Sequence, residues 1–251
     1  MQGRKLVAVL ACRNTGSRLY GKPMQNLDVD QKITILDHII ACLKSIPAIS
    51  DIVLAIADGP ENLGFVKVAK KHQIGHVFGD EEDVLARLID GAKYASATDI
   101  FRVTSESPFV YFEAIDELWR IQVNEGYDCA FLDDIIQGCG FEIFRLSALE
   151  RSHRLGSTRH RSELCSLYIR ENPDQFRVSR NRPPTFLIRK DLRLTVDYPE
   201  DLVVCRRVYM HCKHLAPQIP VADIVHFLDE HTDLTTLIKP FTTLGYSTMY
   251  K

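Results

Sequence analysis

The chain has 251 residues, of which 45% are hydrophobic, 25% charged and 9% aromatic, and its 31 Lys plus Arg nearly cancel 33 Asp plus Glu. These ordinary globular values exclude disorder, collagen and low complexity, and the length suits one α/β domain able to bury roughly three quarters of its extended surface. A net charge of −2 gives no global field that would gather nucleic acid or an anionic membrane, so any anion must be met by a local site.

No apolar run approaches the ~20 residues that span a bilayer, and the opening MQGRKLVAVLAC turns polar too quickly for a signal peptide. A cytoplasmic chain without membrane insertion is expected. The cysteines (Cys12, Cys42, Cys129, Cys139, Cys165, Cys205 and Cys212) are odd in number and mostly sit in apolar stretches, the usage of reduced, buried thiols. With no C-x-x-C, and no second half to the group Cys205, Cys212 and His214, no zinc site is expected.

Residues 5–11 form a continuous apolar run, the pattern of a strand buried on both faces, and feed a polar loop over 12–26. An amphipathic helix over 33–46 stops before Pro47, and 51–57 is a second buried strand. A Gly59-Pro60 turn opens a helix to about residue 72, and 76–78 is a minimal strand. A helix over 81–95 is followed by a strand over 99–104, broken at 105–108. Then come a helix over 112–123, strands over 128–132 and 140–144, and a helix over 146–154. This alternation predicts a three-layer α/β sandwich on a mostly parallel sheet, with ligands at the carboxyl ends of the strands. From about 155 to 190 the pattern is irregular, with a helix over 162–171 and a strand over 176–179. Residues 192–196 read as a further strand, 199–212 as a helix with Pro199 in its first turn, and 222–231 as a closing helix. The apolar tail 237–250 either packs on the sheet or joins two copies. No repeat or long linker divides the chain.

Chemistry concentrates at three strand ends. In the loop A-C-R-N-T-G-S-R-L-Y-G-K-P, Gly16 to Lys22 matches a Walker phosphate loop until Pro23 replaces the hydroxyl that would bind magnesium. What remains is a loop with two glycines and three cations, Arg13, Arg18 and Lys22, suited to a polyphosphate and to charge on leaving pyrophosphate. The strand R-V-T-S-E-S-P stops at Glu106, and L-T-V-D-Y-P ends in Asp197. Two carboxylates converging beside a polyphosphate loop are what Mg²⁺ requires, since it takes one or two protein carboxylates and completes its shell with phosphate and water. The acids of G-D-E-E-D at 79–83 are sufficiently explained by a helix N-terminus. The basic group Arg151, His153, Arg154, Arg159, His160 and Arg161 reads as a solvated loop, with an acidic substrate as the alternative.

Taken together, the first loop, G-D-E-E-D-V-L-A-R, R-V-T-S-E-S-P and L-T-V-D-Y-P-E-D-L resemble, in order and spacing, the cytidylyltransferase family. This family includes the CMP-acidic-sugar synthetases and the spore coat polysaccharide cytidylyltransferase-like proteins. The resemblance covers about residues 5–210 and implies a GT-A-like fold that moves CMP from CTP to an acceptor hydroxyl, with Mg²⁺ and release of pyrophosphate. It implies nucleotide binding by Ala11, Arg13, Asn14, Gly16, Ser17, Lys22, Asp83, Arg87 and Thr104, and catalysis by Lys22, Arg13 and Arg18. Glu106 and Asp197 are the implied metal ligands, a small anionic acceptor the second substrate, and a homodimer the assembly. Two segments depart from the family's pattern. Ser105-Glu106 stands where the family has Gly-Asp, lengthening the carboxylate arm. Ser162-Glu163-Leu164 stands where the acceptor-side segment has Arg-Glu-His, which implies an altered acceptor. Two rivals are a GT-A glycosyltransferase, whose closest acidic pair here is Asp133-Asp134, and a catalytically silent nucleotide-binding homologue.

Overall fold

In the computed structural model, which describes residues 3–16 and 18–248, the first buried run is β1 (Leu6–Cys12). Ser17, expected at the nucleotide, lies outside the described residues. A small antiparallel hairpin, β2 (Asn26–Asp28) with β3 (Ile33–Thr34), follows the loop. Then come α1 (Ile35–Lys44), β4 (Ile49–Ala57), α2 (Gly64–His72), β5 (Gly75–Gly79), α3 (Val84–Tyr94) and β6 (Asp99–Arg102). The chain continues through α4 (Ile115–Glu125), β7 (Cys129–Leu132), β8 (Glu142–Arg145), α5 (Leu146–Leu155), α6 (Leu167–Glu171) and β9 (Val178–Asn181). It ends in α7 (Pro199–Cys212), α8 (Val221–Glu230) and α9 (Thr232–Thr248).

The large sheet has the order β5-β4-β1-β6-β8-β7-β9, and every strand but β8 runs the same way. Strand side chains alternate between faces, so β1 feeds two cores. Leu6, Ala8, Leu10 and Cys12 join a core with α1, α2, α4, α7 and α8, while Val7 and Val9 join one with α3 and α5. Three layers result, as the alternation predicts. The helices begin where their caps dictate. Thr34 Oγ1 accepts from the Asp37 N–H at 3.0 Å, Asp37 Oδ2 accepts from the Thr34 N–H at 3.1 Å, and this reciprocal pair starts α1.

Two expectations are corrected. Residues 192–196 form no strand, only an isolated bridge between Arg193 and Gln137 and a bend at Thr195. Leu194 N–H donates to the Gln137 carbonyl at 2.7 Å and Val196 N–H to the Glu106 carbonyl at 3.1 Å, so this segment bonds to two loops. Gly138, at φ +96°, makes the close approach feasible, because a Cβ there would lie 2.5 Å from the Thr195 nitrogen. The helix expected over 162–171 is confined to α6, preceded by a 3-10 turn over Thr158–Arg161. The tail is helical despite Pro240, and Leu234 and Ile238 of α9 are buried in the core that also takes α7 and α8. All seven cysteines are buried and free. No helix among the described residues is long and apolar enough to cross a membrane.

One buried titratable group makes the fold sensitive to acid. His38 of α1 is 3% exposed and lies edge-on to Phe109 and Tyr209, and burial lowers its pKa from 6.5 to about 4. Between those values the unfolded chain binds a proton that the folded chain refuses. This contribution to stability is therefore complete above about pH 6.5 and falls away toward pH 4, at about 1.4 kcal/mol per pH unit. Denaturant titrations at pH 7 and 4.5 should show a loss of about 2–3 kcal/mol that His38→Phe largely removes. An equal loss in both proteins would contradict it.

Candidate active site

The loop after β1 is folded back on itself by a residue the sequence did not mark. The Asn14 N–H donates to Oδ1 of fully buried Asn62 at 2.8 Å, its side-chain amide donates to the Glu61 carbonyl, and its own carbonyl accepts from the Gly21 N–H at 2.9 Å. Thr15 is tied to Glu81 by a side-chain hydrogen bond. Pro23 explains the break with the Walker pattern. It sits in the first turn of a short 3-10 helix, Lys22–Met24, where its missing N–H costs no hydrogen bond.

Two cations of this loop meet one carboxylate oxygen from the far end of the chain. Lys22 Nζ lies 2.6 Å and an Arg18 guanidinium nitrogen 3.1 Å from Asp197 Oδ1. The other oxygen, Oδ2, accepts from Arg193 at 3.0 Å. For Asp197, burial is the largest single influence and pushes the pKa up, but the Lys22 hydrogen bond and the charges of Lys22, Arg18 and Arg193 outweigh it. The carboxyl is held below its ordinary value.

Glu106 stands on the same crevice because the Val196 N–H bonds its carbonyl directly before Asp197. Its pKa is raised, first by loss of solvent and then by the negative charges of Asp197 and Glu163, against the opposing pull of Lys22 and Arg102. Ser107 donates to Thr195 Oγ1 at 3.1 Å and lies 2.6 Å from Thr104 Oγ1, locking the 104–107 turn to the 192–197 segment. The departure at Ser105 also has a structural use: its hydroxyl donates to the Ala11 carbonyl at 2.8 Å, joining the ends of β6 and β1.

Behind Asp197 lies an ion cluster that sequence reasoning missed. Arg193, with a side chain 1% exposed, lies against both Asp197 and buried Asp201. Asp201 Oδ2 also accepts the N–H groups of Asp197 and Tyr198, each at 2.9 Å, so the acid beside Pro199 caps α7 as well as balancing the arginine. Its signal was legible: one arginine inside the apolar run 192–196, with acids four and eight residues on, since a buried charge needs partners. Removing one member of such a buried pair typically costs about 3–5 kcal/mol.

The donor set at the crevice fits Mg²⁺. Among the described residues no group of three or more His, Cys, Asp or Glu gathers into a metal cage. Asp197 and Glu106 instead offer two hard oxygen donors; burial first and the charge of Asp197 after it raise the Glu106 pKa, and a divalent cation would relieve the charge repulsion between them. For this Lys22 and Arg18 must release Asp197 Oδ1.

The other expected site residues fall into two groups. Ala11, Arg13, Asn14 and Gly16 lie at the end of β1 and in the loop after it and Thr104 in the turn after β6, with Arg13 exposed and 3.6 Å from the Glu163 carboxylate. Asp83 and Arg87 serve the scaffold. Asp83 caps α3 by accepting from the Ala86 N–H at 2.8 Å and pairs with His153 at 2.8 Å. Arg87 is 2% exposed, and its guanidinium donates to the carbonyls of Cys12, Ala55 and Glu81, gathering the ends of β1 and β4. Most of the basic group after residue 150 is likewise paired: Arg151 lies over Phe176, Arg159 and His160 bind Glu171, and Arg161 donates to the His153 carbonyl. Its charges are matched by neighbouring acids and carbonyls, although Arg154 and Arg159 remain exposed. Asp133 is taken by Arg170 and Arg180 and Asp134 lies beside Arg182, which leaves the acidic pair of the glycosyltransferase reading committed elsewhere.

Comparison with known proteins gives the same grouping. The family described as Cytidylyltransferase matches residues 7–221. The chain is 24% identical to the spore coat polysaccharide biosynthesis protein SpsF of Bacillus subtilis over 92% of this chain and 97% of that protein. Among solved structures, a cytidylyltransferase from Leptospira borgpetersenii superposes with a TM-score of 0.83 at 20% identity, covering 92% of this chain and 97% of that one. A CMP:2-keto-3-deoxy-manno-octonic acid synthetase complexed with CTP superposes with a TM-score of 0.60 at 13% identity, covering 82% and 99%.

Proposed function

Because the chain belongs to the cytidylyltransferase family and is a nucleotidyltransferase, we propose that it moves CMP from CTP to a hydroxyl of a small anionic acceptor, an acidic sugar, in the biosynthesis of a surface polysaccharide or glycan. The single observation that carries the reading is the meeting of Lys22 and Arg18 with Asp197 on one oxygen, which supports a site where two cations suited to phosphate stand beside a carboxylate suited to a metal. The names of similar proteins support the substrates, since one is a CMP-sugar-acid synthetase holding CTP and another a spore coat polysaccharide protein.

In this mechanism the triphosphate lies over the Gly16 to Lys22 loop, and Lys22 and Arg18 exchange the Asp197 carboxylate for phosphate oxygens. Mg²⁺, when bound by Asp197 with Glu106, neutralises phosphate charge. Lys22 holds the α-phosphate for in-line attack and stabilises the charge that builds on it. The acceptor oxygen forms its bond to the α-phosphorus as the bond to the bridging oxygen breaks, pyrophosphate leaves with that electron pair, and the hydroxyl proton passes to solvent. Catalysis is mainly positioning and charge stabilisation. Ser162 and Leu164, in place of the Arg and His of the acceptor-side pattern, fit an acceptor that differs from the usual one.

The test is pyrophosphate release from CTP, ATP, GTP and UTP with Mg²⁺ and a panel of acidic sugars. Release confined to CTP with at least one acidic sugar is expected. No turnover of any nucleotide, together with no Mg²⁺-dependent CTP binding, would overturn the reading, and binding of a UDP-sugar in place of CTP would favour the glycosyltransferase.

A further inference from the structure

We propose that the C-terminal helix α9 is a positioning element for Asp197, acting through Phe241 on Arg193 and Tyr198. The inference rests on the proposed function only where it gives Asp197 a metal to hold. The contacts are independent of that assignment, and α9 lies beyond the residues 7–221 that the family matches.

Arg193 has carboxylates on one side and α9 on the other. One terminal nitrogen donates to Asp197 Oδ2 at 3.0 Å and Asp201 Oδ2 at 2.9 Å, and the other donates to the Phe241 carbonyl at 2.9 Å. A guanidinium is a rigid planar fork, so a partner on the opposite side sets its plane and hence the direction from which it grips Asp197. Helix and arginine approach closely because residue 245 is glycine: a Cβ there would lie 2.8 Å from the Arg193 nitrogen that serves Phe241.

A second connection runs through the neighbour of Asp197. The Tyr198 ring stacks on Phe241 with centroids 4.1 Å apart at 22°, while the Arg18 guanidinium lies 5.0 Å from the same ring. The residue that follows the carboxylate is therefore held between α9 and the first loop. Tyr246, five residues beyond Phe241, accepts from the Gln137 N–H at 2.9 Å and lies 3.1 Å from the Arg189 and Leu192 carbonyls, fastening the residues just before Arg193 to the Gln137 loop. A helix that only covered the core would require Leu234 and Ile238, which are buried, but none of these polar contacts.

Phe241→Ala removes the stack on Tyr198 while leaving the main-chain carbonyl on Arg193, with Phe241→Tyr as the variant that keeps the stack and Leu234→Ala as the core control. Hydrogen exchange is read at the Asp197 and Tyr198 amides, which bond Asp201, and the Mg²⁺ concentration for half-maximal CTP turnover is measured alongside thermal unfolding. Phe241→Ala should speed exchange at those amides at least tenfold and raise the Mg²⁺ requirement severalfold, with KM for CTP at saturating Mg²⁺ within twofold. Phe241→Tyr should restore both, and Leu234→Ala should lower Tm without changing either. Unchanged exchange at 197 and 198 in folded Phe241→Ala, or the same change in Leu234→Ala, overturns the proposal. Should Phe241→Ala not fold, Tyr198→Leu removes the stack from the other side and is read in the same way. If the wild type turns over no nucleotide, the proposed function fails, and the exchange result alone decides the positioning.

Discussion

Asp197→Asn is expected to lower kcat/KM for CTP by about a thousandfold while the fold is retained, because asparagine keeps the shape and loses the charge that holds a cation. The wild-type carboxylate lies against Lys22, Arg18 and Arg193, which keep it ionised below its ordinary range. Removing the charge frees Lys22 and Arg18 for phosphate, so KM for CTP should stay level or fall as kcat collapses. Such a split marks a group that acts in the transition state and not in ground-state binding. A variant within tenfold of wild type would show that Asp197 only balances the arginine behind it. Glu106→Gln should cost less, because burial first and then the charge of Asp197 disfavour the ionised form of its carboxyl.

Lys22→Met should cost roughly 10²–10³-fold in kcat, the size of effect seen when one preorganised donor to a developing oxyanion is removed. Methionine matches the length of the stem and fits a position 17% exposed, so stability should change little. Arginine should not rescue it, because a planar fork replaces a point charge on a backbone fixed by Pro23 and by Gly21 in the left-handed region. The more exposed Arg18 should lose only about tenfold on change to methionine, since solvent screens it. Steady-state kinetics with CTP varied at saturating Mg²⁺ measure all three variants. Full kcat in Lys22→Met would remove the lysine from the chemistry.

The sheet and its layers were legible because β1 and β4 are continuous apolar runs and the helices carry apolar residues at helical spacing. The hairpin of β2 and β3 was not, because two and three residues give no period to read. The segment 192–196 was misread for the opposite reason. Its alternation of Leu192, Leu194 and Val196 is that of a strand, yet its hydrogen bonds go to loop carbonyls that only tertiary structure brings near. The charges at strand ends singled out Lys22, Arg18, Glu106 and Asp197, and the structure brings Lys22 and Arg18 onto Asp197. Asn62 gave no signal, because a lone asparagine after a Gly-Pro turn looks like any other surface residue until Asn14 is folded onto it. Arg87 shows the reverse error, in which a residue of a family-like segment is turned inward to hold the carbonyl ends of two strands.

In the proposed mechanism the triphosphate takes the place Asp197 now holds on Lys22 and Arg18. A crystal structure with CTP and Mg²⁺ should show phosphates over the Gly16 to Lys22 loop, Lys22 Nζ moved from Asp197 Oδ1 to a phosphate oxygen, and the metal on Asp197. A nucleotide bound elsewhere, with the 2.6 Å contact between Lys22 and Asp197 intact, would contradict it.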